Sequence, residues 1–209
     1  AIVWPSLVRH SPCLQHLRIG FEDEQLHFKL KGIPWSDLAP SLVTLDLQFR
    51  CTATSSKTRQ LGLESPLPNL KSLVMNYSGY PMTSEGIDFG RWFPVLEKLD
   101  FCCENIPTLS SCTLPSTLIN LKMSVKRLVS ERVTNEFWPA NLKTLSLGTK
   151  SKASAAWLKT LPPSLDTLIL AFEQFEHPER VDWSFAHLPN LTELQKTNDA
   201  DETMLAKLP

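Results

Sequence analysis

The chain has no apolar stretch approaching the roughly 20 residues of a membrane-spanning helix. Its first residues, Ala1-Ile2-Val3-Trp4-Pro5, show neither the basic nor the apolar segment of a secretory leader. A dominant charge sign is missing as well. Over 209 residues the formal net charge is −1, which excludes a surface wholly committed to nucleic acid or to an anionic membrane. Cysteine occurs five times, at Cys13, Cys51, Cys102, Cys103 and Cys112, an odd number without metal-ligand spacing. The vicinal pair Cys102-Cys103 cannot form a Cys-x-x-Cys site. All five read as small buried hydrophobes or free thiols, and a reducing, intracellular compartment is expected. Two glycosylation tripeptides, Asn76-Tyr77-Ser78 and Asn190-Leu191-Thr192, point the other way. Catalytic signatures are absent: there is no Gly-x-Ser-x-Gly, P-loop, Gly-x-Gly-x-x-Gly or His-Glu-x-x-His. No enzyme, cofactor or metal site is expected.

Repetition is what the chain has. A Leu-x-x-Leu-x-aliphatic core recurs with its first leucine at Leu14, Leu42, Leu70, Leu96, Leu118, Leu142 and Leu165, and in degenerate form at Leu191. Successive first leucines are 28, 28, 26, 22, 24, 23 and 26 residues apart. A proline usually precedes each core by two or three residues, as in Leu67-Pro68-Asn69-Leu70 and Leu161-Pro162-Pro163-Ser164-Leu165. Runs such as Leu45-Asp46-Leu47-Gln48-Phe49 and Leu168-Ile169-Leu170-Ala171-Phe172 then place an apolar group at every second residue. Period two is a half-buried strand. One strand per unit at this period reads as a solenoid with a parallel sheet, the core lying between neighbouring repeats. Leu121 and Leu145 should point inward, Asn120 and Thr144 outward. The eighth repeat carries Lys196 at an inward position and should decay there.

The six tryptophans, Trp4, Trp35, Trp92, Trp138, Trp157 and Trp183, fall in return segments or lead-ins. Each should fill the gap between strand and return layer, with a ligand-anchoring role as the minority alternative. Ser154–Leu158 and Asp182–Leu188 read as helical. The loop Cys51–Arg59 is polar and rich in serine and threonine, a surface excursion with regulatory phosphorylation as its alternative.

Over nearly its whole length the chain resembles the leucine-rich-repeat superfamily. The resemblance implies an α/β horseshoe: a concave parallel sheet of about eight short strands, with irregular or helical convex segments. Residues 1–209 form a single domain on this reading, a fragment of a longer protein. Family members usually carry Asn or Cys at the ninth position, where this chain has Glu22, Arg50, Ser78, Glu104, Lys126, Lys150, Glu173 and Asp199. That departure implies irregular return loops. The proline-leucine lead-ins resemble the intracellular repeats associated with F-box proteins and the FNIP-type repeats.

Charge is unevenly spread along the chain. Residues 118–164 hold eight Lys/Arg against Glu131 and Glu136, a net of +6, and residues 165–209 carry a net of −6. Lys122, Lys126, Lys143 and Lys150, with the outward Asn120 and Thr144, are the candidate partner-binding residues. These lysines read first as a solvated basic face, with a docking site for an acidic or phosphorylated protein segment as the functional alternative. Nucleic acid is not expected, because no aromatic residues interleave with these lysines. Asp46 and Asp100 share the fifth position two repeats apart, with Val74 between them, so they should share neither proton nor metal. Arg18 and Asp46, on adjacent strands, should form a surface ion pair.

The function expected is non-catalytic protein binding on the concave sheet face. The F-box-type resemblance implies, more narrowly, a substrate receptor of a ubiquitin ligase. The alternative is a structural spacer without a selective face.

Overall fold

Each repeat core forms one strand, beginning two residues after its first leucine. The computed structural model describes residues 11, 13–21, 35–50, 65–78, 88–103, 112–125, 134–149, 155–172 and 185–196. Its strands are β1 (His16–Phe21), β2 (Thr44–Arg50), β3 (Ser72–Ser78), β4 (Lys98–Cys103), β5 (Asn120–Val125), β6 (Thr144–Thr149), β7 (Thr167–Phe172) and β8 (Glu193–Lys196). They pair in chain order into one eight-stranded sheet, every neighbouring pair parallel. Parallel neighbours need a crossover between them, which the long return segments supply. A repeat solenoid is the architecture that results.

The register follows the repeat without a slip. Counting each first leucine as position 1, position 4 runs Leu17, Leu45, Leu73, Leu99, Leu121, Leu145, Leu168, Leu194 across the sheet. Position 6 runs Ile19, Leu47, Met75, Phe101, Met123, Leu147, Leu170 and then Lys196. Apart from half-buried Leu17 and Lys196, every member of these rows is buried. Each such side chain contributes about 1.5–3 kcal/mol by leaving water. A one-residue slip would turn two whole rows outward, which is why the register is firm. Lys196 closes the position-6 row half-exposed, as expected of a decaying last repeat.

A tight turn precedes each core. Leu70 N–H donates to Leu67 O at 3.2 Å, Leu96 to Phe93 O at 3.1 Å, Leu165 to Pro162 O at 3.2 Å and Leu191 to Leu188 O at 3.1 Å. Pro68, Pro94, Pro163 and Pro189 occupy the second place of these turns, where a fixed φ is preset and no N–H is needed. The lead-in prolines are therefore turn formers.

The residue just before the first leucine bonds to the preceding repeat. Short hydroxyls reach the first leucine's carbonyl: Ser41 Oγ to Leu14 O at 3.0 Å, Thr117 Oγ1 to Leu96 O at 2.8 Å, Ser164 Oγ to Leu142 O at 2.8 Å. The longer amides reach a turn residue two places before the first leucine, Asn69 Nδ2 to Pro40 O at 2.8 Å and Asn190 Nδ2 to Pro163 O at 2.9 Å. This ladder ties turn to turn and satisfies carbonyls that the sheet does not.

The return layer contains α1 (Trp35–Leu38), α2 (Phe89–Trp92) and 3-10 turns at Asn135–Phe137 and Ala156–Thr160. Asp88 caps α2 by accepting from Arg91 N–H at 2.9 Å. Trp35, Trp138 and Trp157 are buried, and the two latter rings lie 6.2 Å apart. Trp138 also donates its indole N–H to Thr160 Oγ1 at 3.0 Å. These three fill space between strands and return segments, as expected from sequence. Trp92 is half-buried, with the Arg91 guanidinium 5.4 Å from its ring centre. Trp4, Trp183 and the Cys51–Arg59 loop lie outside the described residues.

Of the two helical expectations, the first is met in 3-10 form and the second needs correction over its described residues, 185–188. Around Trp157 the helix is a 3-10 turn over Ala156–Thr160. At Phe185–Leu188 the backbone instead makes a turn closed by Leu188 N–H to Phe185 O at 2.8 Å. Phe185 there takes a φ of 42°, a left-handed conformation costly for a bulky residue, yet its ring is buried in the core. Burial of the ring is what offsets the strain. No described helix is long and apolar enough to cross a membrane.

Candidate binding surface

Alternation along each strand puts positions 3, 5 and 7 on the outer face of the sheet. Their rows run across the strands, so residues far apart in sequence become neighbours about 5 Å apart. The position-5 row is Arg18, Asp46, Val74, Asp100, Lys122, Ser146, Ile169 and Gln195. Arg18 Nε meets Asp46 Oδ2 at 3.1 Å, and Lys122 Nζ meets Asp100 Oδ2 at 3.1 Å. Val74 separates Asp46 from Asp100 in the register, as expected. Gln48 donates to Asp46 Oδ1 at 2.6 Å from within the same strand. In the position-3 row, His16 Nδ1 and Thr44 Oγ1 share a hydrogen bond of 2.6 Å, and Thr167 donates to Glu193 at 3.3 Å.

Position 2 lies just outside the sheet, along its leading edge. Lys71 Nζ meets Glu97 Oε1 at 2.9 Å and Lys143 Nζ meets Asp166 Oδ2 at 3.4 Å, in each case one repeat onward. All four ion pairs are largely exposed, and such pairs contribute about 0–1 kcal/mol each. They shape the surface more than they stabilise the fold.

The sequence-derived patch is only partly assembled. Asn120 and Thr144 stand side by side as register partners on β5 and β6. Lys122 leans back to Asp100 on β4, whereas Lys143 leans forward to Asp166 before β7. The two lysines thus face opposite ways, each with a carboxylate of its own. Lys126 and Lys150 lie outside the described residues.

An open groove of about 870 Å³ runs along the leading edge, from Val43 in the second repeat to Ser164 in the seventh. Its lining alternates between position 2 and the residue before the first leucine. Val95 and Ile119 lie at its centre, each 37% exposed, and they are the exposed large hydrophobics among the described residues. Lys71, Glu97 and Lys143 complete its charged rim. Sequence reading missed this feature. The available signal was Val43 and Ile119, apolar at a position otherwise held by Gln15, Lys71, Glu97, Lys143, Asp166 and Thr192.

Among the described residues, no group of three or more His, Cys, Asp or Glu side chains is arranged to hold a metal ion. Among the described cysteines, Cys13 is exposed, Cys102 half-buried and Cys112 buried. Compared with known proteins, the chain matches no family model, no curated protein and no solved structure.

Proposed function

We propose that the protein is a non-catalytic binding scaffold of the leucine-rich-repeat type, a horseshoe that engages a protein partner on its concave sheet face. The observation that carries this is the outer face itself. Its position-3 and position-5 rows are continuous over eight strands, and half-exposed Val74 and Ile169 stand among polar side chains. Such a mixture of polar rows and isolated apolar contacts is ordinary for a non-obligate interface. An acidic or phosphorylated segment remains the preferred partner for repeats 5 and 6. It would displace Asp100 from Lys122 and Asp166 from Lys143, at small cost because both pairs are exposed. The ubiquitin-ligase version rests on the lead-in resemblance and is tested by co-purification with a ligase scaffold.

The test places arginine on the outer face, as Val74→Arg and Ser146→Arg, and checks the melting temperature alongside capture of cellular partners. Loss of a captured partner at unchanged melting temperature supports a selective face. Identical capture by both variants contradicts it and favours a spacer.

A further inference from the structure

We infer that the leading-edge groove docks an extended peptide carrying a basic, an apolar and an acidic residue at alternate positions. The inference rests on the reading of the protein as a binding scaffold but uses a different surface from the sheet face.

Three observations converge on this occupant. The first is the apolar centre formed by Val95 and Ile119. The second is the order of charge around it. Ile119 lies between Glu97 and Lys143 at the same position of successive repeats, joined through the backbone: Ile119 N–H donates to Glu97 O at 2.8 Å, and Lys143 N–H to Ile119 O at 2.8 Å. The internal partners of these two charges, Lys71 and Asp166, belong to the repeats beyond them on either side. The apolar centre is therefore framed by a carboxylate on one side and an ammonium on the other. A ligand with a cation, an apolar group and an anion in sequence complements that frame, and exposed internal pairs give way to it cheaply.

The third observation is shape. Six repeats make five intervals of about 4.8 Å, roughly 24 Å end to end. An extended chain of about seven residues covers that length, and its same-face side chains, roughly 6.6–6.8 Å apart, step about 2 Å further than the subsites, which lie about 4.8 Å apart. Long flexible Arg and Glu side chains absorb the remaining mismatch in spacing.

The test uses the full chain and a fluorescent peptide, Gly-Arg-Thr-Leu-Thr-Glu-Gly, read by anisotropy. Replacing its Leu by Ser should weaken binding about tenfold, the size expected for losing one well-buried aliphatic contact. Ile119→Ser should do the same, with an unchanged melting temperature. Glu97→Lys should switch preference to the doubly acidic peptide Gly-Glu-Thr-Leu-Thr-Glu-Gly. Glu136→Ala, exposed in the return layer and away from the groove, should leave peptide affinity within twofold. No binding of the first peptide up to about 1 mM, or binding indifferent to Ile119→Ser and Glu97→Lys, overturns the inference. A protein partner lost with arginine on the sheet face would then leave the scaffold reading standing without the groove.

Discussion

Strands β1 to β5 and strands β6 to β7 share one core and present different surfaces. Inward, Leu99 of β4 and Leu145 of β6 are equally buried members of one row. Outward, the earlier region carries two position-5 ion pairs, Arg18–Asp46 and Lys122–Asp100. The later region has Ser146 and Ile169 at that position and the small Gly148 and Ala171 at position 7. The difference shows that the working unit of this surface is a row across strands, not a segment of chain. Residues 118–164 sum to +6 along the chain, yet Asp100 and Asp166, which balance Lys122 and Lys143, both lie outside that window.

If the two regions share a core, damage to it should not distinguish them. Leu99→Asp and Leu145→Asp each bury an unpaired charge and should each cost several kcal/mol in urea unfolding, more than about 3 kcal/mol. Thr144→Asp, one residue away but outward, should change stability by no more than about 0.5 kcal/mol. Equal losses at Thr144 and Leu145 would break the register.

An intermediate effect is expected at the turns. Thr117→Val removes the 2.8 Å hydroxyl bond to Leu96 O while keeping the side chain's shape. It should cost about 1 kcal/mol, the usual net value of such a bond. Ser164→Ala tests the same ladder between β6 and β7, and a similar loss is expected there. A loss at one site only would confine the ladder to one region.

The core was legible in the sequence because burial repeats with period two inside a period of 22 to 28 residues, and both periods are written in leucine. Strand order, register and the outward placement of Asn120 and Thr144 all follow from it. The tying of turn to turn was not legible. The ninth position, where the family resemblance directs attention, lacks a regular polar residue, whereas Ser41, Asn69, Thr117, Ser164 and Asn190 do that job one residue before the core. Nor was the groove, since Ile119 looks like any other aliphatic residue until its neighbours in the row are known.

The smallest expected effect concerns the pair that marks the earlier region. A double-mutant cycle on Lys122→Ala and Asp100→Ala should give a coupling of about 0.2–1 kcal/mol, shrinking as salt rises. The corresponding cycle on Ser146 and Ile169 should give none beyond error.

Row-wise charge balance is tested most directly by freeing the lysines. Asp100→Asn and Asp166→Asn together leave Lys122 and Lys143 in place and remove their partners. Titration of a doubly phosphorylated serine peptide should then show several-fold tighter binding than the parent protein, with a steeper fall as salt rises. Equal affinity and equal salt dependence in the two proteins would contradict the balance, because the lysines would then be as available beside Asp100 and Asp166 as without them.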